Sequence, residues 1–328
     1  MTSSLFTTFL KTPQFRTGAA LWHHPETNQP IVEGVLWEGD VVMLLGSEKA
    51  GKSILGLQLA FCLTSGQPFL DKYAVTVPCP VLYLQTEGKP SEMVERMLAM
   101  RETLEIDETR FYHLHQRFLP LDTEEVIVRL IQELDKLPTA PKVIIVDSLY
   151  TSMLGDLNDN KSVRKLFTML SPLLDRYKAT LVLIHHETKE SRMEDGQVIE
   201  RGDKGSYGSV FLRAWCSHIL YLKKHKDKTR TLTCDTQRSG KVLDREDLVL
   251  VEPHPLCFEL AGNTAPYVHK VHAALDHAPQ DGWLIEDLMQ QTELSRTSVE
   301  KSLRQFEKDS VLGKNASKPR RYWLLAQK

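Results

Sequence analysis

From about residue 40 to residue 260, short apolar runs alternate with longer stretches of mixed, amphipathic character. The runs are 41–45, 81–85, 111–115, 143–146 and 181–184, and the helix-length segments between them are 52–65, 91–103, 124–137 and 162–178. Continuous β-branched runs separated by helices predict a mainly parallel sheet covered on both faces. The texture then changes. Residues 218–222, 229–235, 248–251 and 257–260 are strand-like with no helix between them, which predicts an antiparallel extension at the sheet edge.

Ala261-Gly262-Asn263-Thr264-Ala265-Pro266 reads as a linker, small and polar and closed by a proline. Beyond it, 268–277, 285–292 and 296–308 predict three short helices, and 311–325 predicts two strands around a basic turn. That order fits a winged helix-turn-helix. The expected organisation is an α/β domain over 34–260, a linker over 261–266 and a winged helix over 267–328. Residues 1–33 have no clear pattern and read either as an arm that packs on a neighbouring subunit or as a loose terminus.

Composition adds limits. The 328 residues are 41% hydrophobic and 26% charged, as in ordinary soluble domains, and the net charge of −2 confines any nucleic-acid contact to local patches. The five cysteines form no Cys-x-x-Cys pair and no zinc spacing with histidine, so reduced buried thiols are expected. The N-terminus lacks the pattern of a secretory signal, and no run approaches the ~20 apolar residues of a membrane span. A soluble, cytoplasmic protein without membrane contact is the expectation.

The candidate chemistry begins at Gly46-Ser47-Glu48-Lys49-Ala50-Gly51-Lys52-Ser53, followed by Ile54. A strand leads in and a helix leads out, as a phosphate-binding loop requires. Glycines let the backbone turn so that successive amides face phosphate oxygens, and the helix N-terminus adds partial positive charge. ATP with Mg²⁺ is therefore the expected ligand. Lys52 reaches the β- and γ-phosphates, and the Ser53 hydroxyl ligates the metal. Lys142-Val143-Ile144-Ile145-Val146-Asp147-Ser148 ends a buried strand on a carboxylate, placing Asp147 to hold the metal shell. Ser148 stands where many such enzymes carry a catalytic glutamate. Glu87, at the end of Val81-Leu82-Tyr83-Leu84-Gln85-Thr86-Glu87-Gly88, reads either as the carboxylate that polarises water or as a helix-start residue before Pro90-Ser91.

These motifs, with Ile31-Val32-Glu33-Gly34 and Leu183-Ile184-His185-His186-Glu187-Thr188-Lys189, resemble in order the RecA-like AAA_25 group, best known through RepA-type hexameric plasmid helicases. The resemblance covers about residues 30–260. It implies a RecA-like core in which Glu87 is the hydrolytic base and His186 senses the γ-phosphate, with His185 second; the alternatives are a buried structural histidine pair or a metal site, for which no third ligand is evident. It also implies a homo-oligomeric ring, a hexamer, with nucleotide between subunits and an arginine acting in trans. Thr236-Gln237-Arg238-Ser239-Gly240-Lys241 is similar to the Lys-x-Arg segment of DnaB-like helicases. Arg238 matches its arginine, Thr236 departs from its lysine, and Lys241 is a substitute. Arg213, in Gly208-Ser209-Val210-Phe211-Leu212-Arg213, is a second candidate.

In RecA-like rings the loop after the sensor strand lines a channel, which assigns Lys189, Arg192, Arg201 and Lys204 to single-stranded DNA. Acidic neighbours in the same loop also fit a plain surface. In the C-terminal segment, Arg296, Lys301 and Arg304 lie off the buried stripe of the third helix, and Lys314, Lys318, Arg320 and Arg321 mark a basic wing. Both point to duplex DNA, although Glu300 and Glu307 oppose it. An ATP-driven helicase or translocase in DNA replication is the first expectation. An ATP-gated DNA-binding initiator, regulator or loader is the second, and a recombinase-like ATPase the third.

Overall fold

The computed structural model describes residues 15, 17–19, 29–186, 210–226, 229–237, 243, 245–252, 255–261, 266–279, 281–294, 296–308, 311–315 and 319–325. Its centre is a nine-stranded sheet. β1 (Pro30–Val32) and β2 (Leu36–Trp37) pair as a small hairpin outside that sheet. β3 (Val41–Gly46), β4 (Val81–Gln85), β5 (Phe111–His115), β6 (Val143–Asp147), β7 (Thr180–His186) and β8 (His218–Lys224) run parallel to their neighbours in this group. β9 (Thr229–Gln237), β10 (Arg245–Val251) and β11 (Cys257–Leu260) extend the sheet antiparallel. The order across the sheet is β11-β10-β9-β8-β3-β7-β6-β4-β5. β7 thus lies between the strands that end on Gly46 and Asp147, an arrangement that fits a RecA-like fold.

One strand departs from expectation. The run 218–222 reads as part of the antiparallel extension, but β8 is parallel to β3. A short helix, Val210–Trp215, precedes it and supplies the crossover that a parallel neighbour needs. β8 is therefore the seam between the two halves of the sheet. At the N-terminal side, Ile31 and Val32, at the end of the segment read as an arm, are buried in the main core.

Two apolar layers cover the sheet. α1 (Lys52–Ser65) lies against one face and is buried almost all round, with Leu57, Phe61, Cys62 and Leu63 in the core. α2 (Pro90–Met100) flanks it, with proline in its first turn, where the missing N–H costs nothing. On the other face, α3 (Glu124–Leu134) buries Ile127, Leu130, Ile131 and Leu134, the spacing of one helical stripe. α4 (Asn160–Tyr177) starts where Asp159 accepts from the Ser162 amide at 2.9 Å and buries Val163, Leu166, Leu170 and Leu173. The helix before β8, α5 (Val210–Trp215), is tied to α4 by Phe167 and Trp215, whose ring centroids are 3.8 Å apart.

A third apolar cluster joins α6 (Pro266–Asp276), α7 (Ile285–Thr292) and α8 (Arg296–Lys308) with β12 (Leu312–Lys314) and β13 (Tyr322–Leu324). The two strands pair antiparallel. Three helices followed by a hairpin is the order expected from the sequence. Val251 of β10 packs in the same cluster.

Candidate active site

Strands in parallel register present matching residues on one face. Register therefore puts Gly46 beside His186, Gln85 beside Asp147, and Tyr83 beside Ile145. All but Tyr83 and Ile145 lie at the carboxyl edge, on the face covered by α1, where open α/β sheets bind ligands.

The loop from Gly46 to Ser53 wraps this edge. Gly46 has no room for a side chain, because a Cβ there would stand 2.2 Å from the Leu222 carbonyl oxygen. Gly51 has φ +103°, and its Cβ would meet Phe258 Cζ at 2.7 Å. α1 begins directly after Gly51 with no side-chain cap and no acidic residue in its first turn. Its opening amides have no such partner, the local condition for receiving phosphate. Arg230, buried in β9, donates from Nε to Ala50 O at 3.4 Å and backs the loop.

Lys52 Nζ lies over the loop, donating to Gly46 O and Ser47 O at 2.8 Å each, and stands 3.1 Å from His186 Nδ1. An ammonium only donates, so Nδ1 accepts and the imidazole carries its proton on Nε2. That nitrogen faces Glu87 Oε2 at 3.6 Å. The other carboxylate oxygen of Glu87 accepts from the Ser148 hydroxyl. The neighbouring His186 imidazole holds Glu87 below its ordinary pKa; burial opposes this, while the Ser148 hydroxyl and the Lys52 charge assist it.

Asp147 is buried beside this row. Ser53 Oγ donates to its Oδ1 at 3.1 Å and Tyr83 OH to its Oδ2 at 2.7 Å. Burial pushes its pKa up, against the two hydroxyl donors, and the Glu87 charge adds to the rise. Tyr83 is pushed well above 10 by burial and by Asp147. Two hard oxygen ligands, the Ser53 hydroxyl and the buried Asp147 carboxylate, fit Mg²⁺, which binds through one or two carboxylates plus phosphates and water.

His185 alternates to the opposite face. It is buried, neither ring nitrogen has a hydrogen-bond partner among the described residues, and burial first, then the neighbouring His186 and Lys52, lower its pKa to about 4. Of the two histidines, His186 alone reaches Lys52 and Glu87. Arg213 sits half-buried on α5. Arg238 and Lys241 lie outside the described residues, as do Lys189, Arg192, Arg201, Lys204 and Lys318; of Lys301 only the backbone is described. In the C-terminal cluster Arg296 is engaged by Glu286 at 2.9 Å and Glu300 at 3.0 Å, Lys314 by Glu307, and Arg321 by Asp281 at 3.0 Å. Arg304 and Arg320 are exposed. Among the described residues no helix is long and apolar enough to cross a membrane.

Sequence reasoning left four groups unassigned: Tyr83, Gln85, Ser148 and Arg230. Each matters through a partner on another strand or loop, and spacing along the chain carries no sign of that pairing.

Comparison with known proteins gives the following. Residues 7–192 match the AAA_25 family, described as an AAA domain. A KaiC-like protein of the hyperthermophilic archaeon Pyrococcus horikoshii OT3 superposes with a TM-score of 0.48 at 12% identity, over 70% of this chain and 93% of that one. No curated protein matches the chain.

Proposed function

Since this chain belongs to the AAA_25 family of AAA domains, we propose that it is a RecA-like P-loop ATPase that hydrolyses Mg-ATP and works on DNA as a homo-oligomeric ring. The observation that carries the reading is the continuous row Lys52–His186–Glu87–Ser148 beside the Ser53–Asp147 pair. In that row a phosphate-binding lysine is joined, through one imidazole, to a carboxylate placed to polarise water.

The chemistry follows from the row. Lys52 exchanges loop carbonyls for phosphate oxygens. Ser53 and Asp147 would hold the Mg²⁺, whose charge offsets that of the phosphates. His186 turns its donor from Glu87 to the γ-phosphate. Glu87 thereby loses the strongest of the groups that lower its pKa and becomes a better base when substrate is present. The arginine in trans is assigned to Arg238, with Arg213 second.

The DNA reading rests on the resemblance to RepA-type helicases, on the loop basic residues Lys189, Arg192, Arg201 and Lys204, and on the C-terminal helices and hairpin read as a winged helix. Because Arg296, Lys314 and Arg321 are already paired with carboxylates, Arg304 and Arg320 carry the larger share of duplex contact. The three-helix-plus-hairpin cluster also favours the second reading, an ATP-gated DNA-binding initiator or loader. Strand displacement on a forked duplex with ATP separates the two. Unwinding by rings supports the motor; DNA-stimulated hydrolysis without unwinding supports the gated binder; no ATP turnover with or without DNA removes both.

A further inference from the structure

The turn that carries Glu87 is held by more groups than a strand end requires. Three successive carbonyls each meet a side chain of β4 or β5. Gln85 Nε2 donates to Glu87 O at 2.9 Å and to Lys89 O at 3.2 Å, and His115 Nε2 lies 3.2 Å from Gly88 O. The remaining end of the carboxamide, Gln85 Oε1, is 2.9 Å from His113 Nε2. Carbonyl oxygens only accept, so both imidazoles carry a proton on Nε2 and the amide has a single orientation.

The opposite flank of the turn is fixed as well. The Thr86 amide donates to Asp147 O at 2.7 Å, Thr86 Oγ1 donates to Ser148 O at 3.1 Å, and the Ser148 amide donates to Thr86 Oγ1 at 2.9 Å. Gln85 itself is 3% exposed and ends a strand whose other members are Val81, Leu82, Tyr83 and Leu84. A buried carboxamide costs free energy unless its hydrogen bonds are satisfied, and an apolar residue would suit the sheet as well. What distinguishes glutamine here is the pair of carbonyls it grips.

We infer that Gln85 is a positioning residue for Glu87, with His113 orienting the carboxamide and His115 closing the grip on the same turn. The inference rests on the reading of Glu87 as the water-polarising carboxylate. The clamp sets the direction of the Glu87 main chain, and so the place its carboxylate occupies relative to the attacked phosphorus. Misplacement by about 1 Å costs rate on the order of a hundredfold without touching binding.

The test is steady-state ATP hydrolysis by the full-length protein, with ADP affinity measured beside it. Gln85→Met keeps the volume and removes both donors. Its kcat is expected to fall about tenfold or more, with KM for ATP and the Kd for ADP unchanged. His113→Leu, at the sheet edge, lowers kcat in the same direction, and His113→Gln, which retains a donor, restores it. In a Glu87→Gln background, Gln85→Met adds no further loss. Wild-type rates in both Gln85→Met and His113→Leu, while Glu87→Gln is slowed to a measurable residual rate, overturn the clamp and leave Glu87 in place. An equal loss from Gln85→Met with and without Glu87 overturns it too, by showing a general structural effect. If Gln85→Met does not fold, His113→Leu decides. Normal hydrolysis by Glu87→Gln is the separate outcome that removes the reading underneath.

Discussion

Lys52 Nζ stands 3.1 Å from His186 Nδ1, and the far nitrogen of that ring faces Glu87 Oε2 at 3.6 Å. A single imidazole thus stands between the lysine assigned to phosphate and the carboxylate assigned to water. Replacing it separates binding from chemistry. His186→Ala is expected to lower kcat by about 10²-fold while ATP still binds, because the loop and Lys52 remain. Phosphate release and nucleotide titration check this; an unchanged kcat would move the γ-phosphate contact to another residue.

Asp147 is held by two hydroxyls, Ser53 at 3.1 Å and Tyr83 at 2.7 Å. Asp147→Asn removes the charge that a divalent cation needs. The Mg²⁺ concentration for half-maximal turnover should rise by about tenfold or more. Tyr83→Phe deletes one donor and leaves the carboxylate, so a smaller shift in the same direction is expected. Turnover against free Mg²⁺ reads both, and identical metal curves for Asp147→Asn and wild type would place the ion elsewhere.

The glycine turn tolerates no side chain at its first position. Gly46→Ala puts a methyl 2.2 Å from a main-chain oxygen of β8, and backbone atoms cannot swing away as a side-chain end does. Gly51→Ala meets a phenyl ring edge at 2.7 Å in a left-handed conformation. Destabilisation of about 1–3 kcal/mol is expected for Gly51→Ala and more for Gly46→Ala. Thermal melts rank the two, and equal Tm values for both variants and wild type would contradict the packing.

His218 and Asp40 form a buried pair at 2.9 Å, at the amino end of the sheet and away from the nucleotide edge. Burial alone would lower the histidine's pKa; the hydrogen bond and charge of Asp40, with Cys234 assisting, carry it up to about 9. The folded state therefore keeps a proton that the unfolded chain sheds near 6.5. The pair's contribution is complete below that value and is lost as pH rises through about 9. Wild-type Tm should fall across this window, and Asp40→Asn should flatten the fall while leaving KM for ATP unchanged. A slope of the same size in Asp40→Asn would assign the titration to another group.

Local signals were legible in the chain. Gly46, Gly51, Lys52 and Ser53 fall within one short loop, so spacing alone singles them out as candidates. Asp147 ends an apolar strand and Glu87 stands just past the end of another, and a strand end is visible in sequence. The partners of these residues were not visible. Ser148 meets Glu87, and Tyr83 meets Asp147, because β4 and β6 pair in a particular register that no short window contains. The direction of β8 was hidden for a similar reason: 218–222 looks like its antiparallel successors, and only the short helix before it marks the crossover. His185 and His186 are adjacent in sequence yet belong to opposite faces, which period-two geometry separates once the strand is placed.

Gln58 of α1 bonds the main chain of Phe258 twice, at 2.9 Å from its amide nitrogen and 2.7 Å to its oxygen, and the Phe258 ring crowds Gly51. One outer strand is thus stapled to the helix behind the glycine turn and wedged against the turn itself. That strand ends at Leu260, from where the chain runs on to the helices beyond residue 266, and Val251 of the adjoining strand is packed among them. A displacement of the glycine turn would therefore be carried through Phe258 into the outer strand whose neighbour packs on the C-terminal helices.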